Sequence, residues 1–325
     1  MVKKLLGMRR LICVLMVMTM VSTLRAQSPV SCQTFGYATH DNTELYLDVY
    51  RTAPAQGEEL RPCVVFMFGG GFVGGTRDND IYMSYFEGLA RAGMVVVSID
   101  YRLGLANING SEDINVRAMV GAMDNAVHIA VEDLYSATNY VLAHAAEWGV
   151  DSSKIVISGS SAGAIASLQA EWLMCNGDAR CKVLPEDFRY AGVVACAGAI
   201  FSTSGRPKFK GSAAPMLLFH GTSDSNVPYD RASLLGVGFY GSEYIVTQLD
   251  KQSSPYYFCS VKYADHSLAV EPLQESVNLI VHFIEEYVVR GKSMRTISEV
   301  VKIGGAKAPT RFSVMDYMKS NYAPR

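Results

Sequence analysis

The sequence predicts an α/β fold: a mostly parallel sheet covered by helices on both faces. Two observations carry this reading. Short, continuously apolar runs bounded by turn residues alternate with stretches of helical spacing, which is how strands buried on both faces read. Hydrophobic residues make up 49% of the chain and charged residues only 18%, enough apolar material for one thick core.

The elements follow in order. "QTFGYATH" and "ELYLDVYR" alternate in character around Asp41-Asn42-Thr43 and read as an N-terminal antiparallel hairpin. "RPCVVFMF" (61–68) is a strand, "IYMSYFEGLARAG" (81–93) a helix with a glycine stop, and "MVVVSIDY" (94–101) a strand. A long amphipathic helix runs from Ile129 to Trp148, and "KIVISG" (154–159) is a strand leading into a helix over Ala162–Met174. "YAGVVACAGA" (190–199) and "APMLLFHG" (214–221) are strands, with a weaker helix over 228–250. "YYFCSVKYA" (256–264) is the last strand, and Leu273–Val289 is the closing helix. These elements amount to a mostly parallel eight-stranded sheet with the hairpin at its start. Sites in such sheets lie at the carboxyl ends of the strands.

Ahead of the hairpin, Lys3, Lys4, Arg9 and Arg10 precede an uncharged apolar run, Leu11–Leu24, and Leu-Arg-Ala-Gln (24–27) offers a cut after Ala26. This is the pattern of an export signal over 1–26, leaving a single domain over 27–325. Roughly 14 apolar residues are too few to span a bilayer, so a secreted or periplasmic protein without a stable membrane anchor is expected. The net charge of −2 gives no field for nucleic acid or anionic lipid. Cys63, Cys196 and Cys259 sit in apolar runs and read as buried thiols. Cys175 and Cys181 flank "CNGDARC", a loop that an oxidising compartment would allow to close as a disulfide. No Cys/His cluster has zinc spacing and no acidic run resembles a calcium loop, so no metal or cofactor is expected.

The stretch "VISGSSAGAI" contains one G-x-S-x-G, with Ser161 at its centre, between a strand and a helix. A serine hydroxyl needs an imidazole base, and the base needs a carboxylate to orient it. Ser160 reads as a small turn residue. Of the six histidines, His40, His128 and His144 lie in or beside elements preceding the serine. His282 falls on the apolar side of the closing helix, as a core histidine would, and His220 reads as a brace for the loop after it. His266, in "YADHSLA", occupies a loop at the sheet's carboxyl edge. For the acid, Asp178, Asp187 and Asp250 lie off that edge, and Asp265 adjoins His266 and cannot turn to face its ring. Asp224, directly after a strand, is the best placed and Asp230 the second.

"FGGGF" (68–72), "DYRLG" (100–104), "GSSAG" (159–163), "HGTSDSNVP" (220–228) and "DHS" (265–267) occur in an order and spacing that resemble the α/β-hydrolases. The resemblance is closest to carboxylesterase/lipase-type members with an H-G-G-G loop, secreted bacterial esterases among them, and covers nearly all of 27–325. It implies serine ester hydrolysis with Ser161 as nucleophile, His266 as base and Asp224 as acid. It also implies an oxyanion hole of the backbone N–H groups of Gly70, Gly71 and Ala162. Phe68 stands where the family usually has histidine; the donors are backbone groups, so the substitution bears on how the loop is braced. Phe72, Tyr101 and Tyr82 are expected to form an aromatic wall beside the hole, and 105–125 to cover the site. Short-chain or carbohydrate-linked acyl esters are the expected substrates, small or polymer-attached.

Three alternatives compete. "HGTSDSNVP" also resembles the acid loop of prolyl peptidases, although 27–60 leaves no room for their propeller domain. Gly69, Gly71 and Gly74 spell G-x-G-x-x-G after a strand, and Asp100 ends the next one, as in a dinucleotide-dependent oxidoreductase. Against that, Asp78 and Asp80 crowd the helix start where a pyrophosphate needs positive potential. A non-catalytic binding protein would leave the three triad residues without a purpose.

Overall fold

The computed structural model describes residues 29–53, 59–107 and 116–305. The expected export signal lies outside the described residues. Val30–His40 (β1) and Thr43–Thr52 (β2) form the expected antiparallel hairpin. Its turn, Asp41-Asn42, has φ of +49° and +62°, a left-handed pair that Asp and Asn tolerate better than other side chains.

Inward from the hairpin lie Val95–Ile99 (β4), Arg61–Met67 (β3), Val150–Ser160 (β5), Gly192–Cys196 (β6), Met216–Gly221 (β8) and Tyr256–Lys262 (β11). The order across the sheet is β1-β2-β4-β3-β5-β6-β8-β11, with one further strand, Arg295–Val301 (β12), at the far edge. From β4 to β12 every pairing is parallel. Val64, Val65, Val96, Val97, Ile157 and Val193 are all fully buried, because helices cover both faces. Those helices include Met83–Arg91 (α1), Val116–Trp148 (α2) and Ala162–Cys175 (α3). In α3 every residue from Ala162 to Glu171 is buried, so this helix lies inside the molecule rather than on it.

The expected eight-stranded sheet is therefore nine-stranded. β12 escaped the sequence reading because an edge strand has one solvated side: Ile297, Val300 and Val301 are about half exposed, which blurs both apolar continuity and alternation. The expected weak helix over 228–250 is three elements. Arg231–Leu234 (β9) and Val237–Gly241 (β10) join Ala199–Ser202 (β7) in a small antiparallel sheet, and only Ser242–Gln252 (α4) is helical. Gly236 and Gly238, both at positive φ, break the helix that the apolar spacing suggested. The closing helix is divided into Glu271–Glu275 (α5), Val277–Phe283 (α6) and a π-helical stretch, Ile284–Val289. There Ile280, Phe283 and Ile284 take the core side, leaving His282 exposed rather than in the core. Of the expected cover over 105–125, the part from Val116 belongs to α2, and 108–115 lies outside the described residues.

Cys63, Cys196 and Cys259 are buried thiols as expected. The expected Cys175–Cys181 disulfide is absent: both are free thiols facing different elements. Cys175 Sγ donates to Glu171 Oε1 (3.2 Å) and points toward the Ser212 carbonyl (3.6 Å). Cys181 instead shares a hydrogen bond with the Tyr135 hydroxyl on α2 (3.3 Å).

Glu171, buried in α3, ties the fold's stability to pH. Burial raises its carboxyl from 4.5 to about 7, although Oε1 accepts the Ala214 N–H at 2.8 Å. Its other oxygen is buried without a partner, as suits a protonated acid. The folded state thus holds a proton that the unfolded chain releases near pH 4.5. Stability is full below that pH and falls as pH rises through about 7, by about 3 kcal/mol if the whole shift is realised. Glu171→Gln is expected to remove this decline. Urea unfolding of both proteins from pH 5 to 8 checks it, and parallel profiles would contradict the assignment.

Candidate active site

Ser161 sits on the turn from β5 to α3 with φ +49° and ψ −112°, a strained conformation for a non-glycine residue. Three contacts hold the strain. The Ser161 N–H donates to the Cys196 carbonyl at the end of β6 (2.9 Å). A Cβ on Gly159 would meet the backbone of Gly163 at 2.3 Å, and a Cβ on Gly163 would meet the Met67 carbonyl oxygen at 2.1 Å. Glycine is required at both positions so that α3 can lie directly against the end of β3. Ser160, the residue before Ser161, is fully buried.

The structure brings the three expected side chains together. Ser161 Oγ lies 2.8 Å from His266 Nε2, and His266 Nδ1 lies 2.7 Å from Asp224 Oδ2. Each comes from the carboxyl side of a strand: Ser161 from β5, Asp224 from the loop after β8, and His266 from the short 3-10 turn His266–Ala269 after β11. Asp224 is buried, and burial alone would push its carboxyl up. Hydrogen bonds from His220 and His266 outweigh this and hold it well below the usual carboxylate range. Its second oxygen accepts the N–H groups of Asn226 (2.8 Å) and Val227 (2.9 Å). The acid is thus an ionised anion fixed at both oxygens. Its contribution to stability is present above the ordinary carboxylate range and lost only as pH falls through its depressed value.

His220 braces the loop as expected. Its Nε2 lies 3.1 Å from the Val227 carbonyl and 3.4 Å from Asp224 Oδ2, and its Nδ1 lies 2.8 Å from Ser242 Oγ. The two rejected carboxylates are occupied elsewhere: Asp265 caps its own turn through Ser267 N–H (3.1 Å), and Asp230 pairs with Arg231 (3.6 Å).

The glycine loop closes over the serine turn, so that a Cβ on Gly69 would lie 3.3 Å from Ser161 Cβ. Gly70, Gly71 and Phe72 all have positive φ. A Cβ on Gly70 would strike the Gly74 carbonyl oxygen at 2.0 Å. Among the described residues no protein acceptor takes the N–H of Gly70, Gly71 or Ala162. The last of these opens α3, whose helix dipole favours negative charge there. Phe68 replaces the family histidine with an aromatic brace: its ring stacks on Tyr101 (4.4 Å between centroids) while the Tyr101 hydroxyl donates to the Phe68 carbonyl (2.7 Å).

The expected aromatic wall is therefore only partly formed. Tyr82 lines the cleft and accepts the Gly69 N–H on its hydroxyl (3.1 Å). Phe72 and Tyr101 are buried instead of facing the cleft. The cleft itself holds about 660 Å³ and runs past Ser161 and His266 to Val73, Ile81, Asn226 and Val270.

Two supports were missed. Arg77 ties the segment after the glycine loop to the sheet through Asp48 (3.0 Å) and Asp100 (2.8 Å); a lone cation among Asp78, Asp80 and Asp100 was the available signal. This pairing also occupies the carboxylate that a dinucleotide ribose would need. Lys302, just past β12, donates to Ser267 Oγ (3.1 Å) and Glu271 Oε1 (2.9 Å), on either side of the His266 turn. With β12 unrecognised, nothing in the sequence pointed to it.

This sheet order is that of the α/β-hydrolase fold. The BD-FAE family model matches residues 47–180, the stretch from β2 through the end of α3. Among curated proteins, the chain is 30% identical over 125 residues to fumonisin B1 esterase of Sphingopyxis macrogoltabida, which is 38% of this chain and 22% of that protein. It is 32% identical over 117 residues to esterase LipI of Mycobacterium tuberculosis, covering 34% and 28% respectively. The chain thus spans well under a third of the curated relatives' lengths. Among solved structures, propionate-bound esterase 2 of Thermogutta terrifontis aligns with TM-score 0.55 at 22% identity, covering 83% of this chain and 97% of that one. The chain has the α/β-hydrolase fold, and the relatives it matches over part of its length are named esterases and lipases.

Gly163→Ala is expected to cost several kcal/mol, because overpacking of about 1–3 kcal/mol is compounded by a clash with rigid backbone. Thermal melting of the variant checks this; a melting temperature equal to the parent's would show that α3 does not need its close approach to β3.

Proposed function

We propose that the protein is an exported serine hydrolase of carboxylic esters. The observation that supports this most is the unbroken hydrogen-bonded chain Ser161–His266–Asp224 on a strained turn facing an open cleft. In this reading Ser161 Oγ attacks the ester carbonyl as His266 Nε2 takes its proton. The oxyanion formed is met by the free N–H groups of Gly70, Gly71 and Ala162. Collapse breaks the carbonyl–alkoxy bond, and His266 returns the proton to the departing alcohol. Water then repeats the sequence on the acyl-serine. Asp224 stays ionised throughout and offsets the imidazolium charge.

The cleft mixes short apolar side chains (Val73, Ile81, Ala269, Val270) with polar ones (Thr76, Asn79, Asn226). That lining suits a short acyl group on a polar alcohol, free or carried by carbohydrate. Two relatives that the chain matches in part, the fumonisin B1 esterase and LipI, are named esterases, which supports ester hydrolysis.

Ser161→Ala is expected to lower kcat by on the order of 10⁴ or more, and Ser160→Ala to leave it nearly unchanged. A fluorophosphonate probe that labelled Ser160, or nothing, would remove Ser161 from its role. Asp224→Asn should cost far more activity than Asp265→Asn; the reverse order would reassign the acid.

A p-nitrophenyl ester series from acetate to palmitate, run beside acetylated sugars and an aminoacyl anilide, tests the substrate class. Activity is expected to peak at short chains. A peak at palmitate would rule out the short-acyl reading, and anilide cleavage without ester cleavage would make the protein a peptidase.

A further inference from the structure

The turn between β9 and β10 carries a residue that its backbone disfavours. Leu234 pairs with Val237, so Leu235 and Gly236 form a two-residue turn, with φ of +51° and +86°. Such turns favour Asn-Gly or Asp-Gly, because most side chains crowd their own backbone at positive φ. Leucine gains nothing there from the core either: Leu235 is 97% exposed and Leu234 69%. Two adjacent leucines are thus held in water at a strained turn.

Their surroundings are cationic. Gly236 seats the turn on the strap 203–210, where a Cβ would lie 2.9 Å from Gly205 Cα. Along that strap Pro207 and Phe209 are buried, while Arg206, Lys208 and Lys210 alternate with them and are exposed. The strap backbone is fixed. Tyr244 donates to the Pro207 carbonyl (2.9 Å), Trp172 to the Lys208 carbonyl (3.0 Å), and Gln252 to the Phe209 carbonyl. Among the described residues no carboxylate pairs with these three cations. Arg231, nearby, is offset by Asp230 (3.6 Å), with Glu243 close to both. A net charge of −2 over the whole chain conceals this local concentration.

We propose that this corner is a peripheral docking surface for an anionic lipid bilayer. Leu234 and Leu235 enter the boundary between headgroups and acyl chains, and Arg206, Lys208 and Lys210 stay at the level of the lipid phosphates. The cations select anionic over neutral headgroups. The leucines select lipid over an acidic polymer, which offers no apolar phase to receive them. No helix among the described residues is long and apolar enough to cross a membrane, so the contact is interfacial and reversible. The hairpin is anchored to the body of the protein at its other end, where Gly241, ending β10, packs against the Pro228 and Tyr229 carbonyls beyond the Asp224 loop. Docking here does not depend on what Ser161 does.

Co-sedimentation of the full chain with phosphatidylcholine vesicles, and with vesicles of equimolar phosphatidylcholine and phosphatidylglycerol, tests the proposal. Binding is expected to the mixed vesicles, weakened by added salt. Each of Arg206→Gln, Lys208→Gln and Lys210→Gln should weaken it about fivefold. Replacing both leucines with serine should weaken it tenfold or more. Leu235→Asn separates docking from folding: it suits the turn, so it should keep or raise the melting temperature while weakening vesicle binding. Hydrolysis of a soluble ester should stay at the parent level in all of these variants. Failure of the parent protein to bind mixed vesicles would overturn the proposal, as would binding that survives the serine substitutions. Equally tight binding to soluble polygalacturonate, indifferent to the leucines, would assign the corner to an acidic polymer instead.

Discussion

The closeness of α3 to the end of β3 governs the rest of the site. With no Cβ on Gly163, the helix axis comes within backbone contact of Met67 and Phe68. That contact places the first helical N–H beside the glycine loop and forces Ser161 into its unusual backbone angles. A longer separation would relax the serine, lower the helix dipole's influence at the cleft and leave Gly69 without its neighbour. The strain at one residue is therefore balanced by packing across the whole first half of the sheet, where β3, β4 and β5 are buried on both faces.

Electrostatics at the site are arranged in series rather than concentrated. Asp224 is buried, yet it is ionised because two imidazoles and two backbone N–H groups converge on it. His220 and His266 both meet Asp224 Oδ2, so the carboxylate is held in one orientation. The glycine loop has an equivalent backing in Tyr82, Tyr101 and Phe68, with Arg77 tying the segment beyond it to β2 and β4. The Phe68–Tyr101 stack and the Tyr101 hydroxyl brace the start of this loop.

The central strands and the three polar residues at their ends were legible in the sequence. Strands buried on both faces must be apolar throughout, and Ser161, Asp224 and His266 interrupt that rule only where the strands stop. What could not be read is what lies at margins. β12 is half solvated, and β9 and β10 are short and broken by glycine, so neither has a periodicity long enough to register. Cys175 and Cys181 are close in sequence but face different partners, a matter of helix rotation that spacing does not encode. The same holds for Phe72 and Tyr101, whose side of the loop depends on the positive φ angles at residues 70–72.

The edge position of β12 has a consequence for the order in which the protein matures. The Ser161 turn rests on β3, β5, β6 and α3, all complete once residue 196 has been made and packed. The histidine turn is steadied by Lys302 and by parallel pairing of β12 on β11, a contact across dozens of residues that closes late. In a chain made from its N-terminus, every element around Ser161 is therefore present well before the strand that steadies the His266 turn.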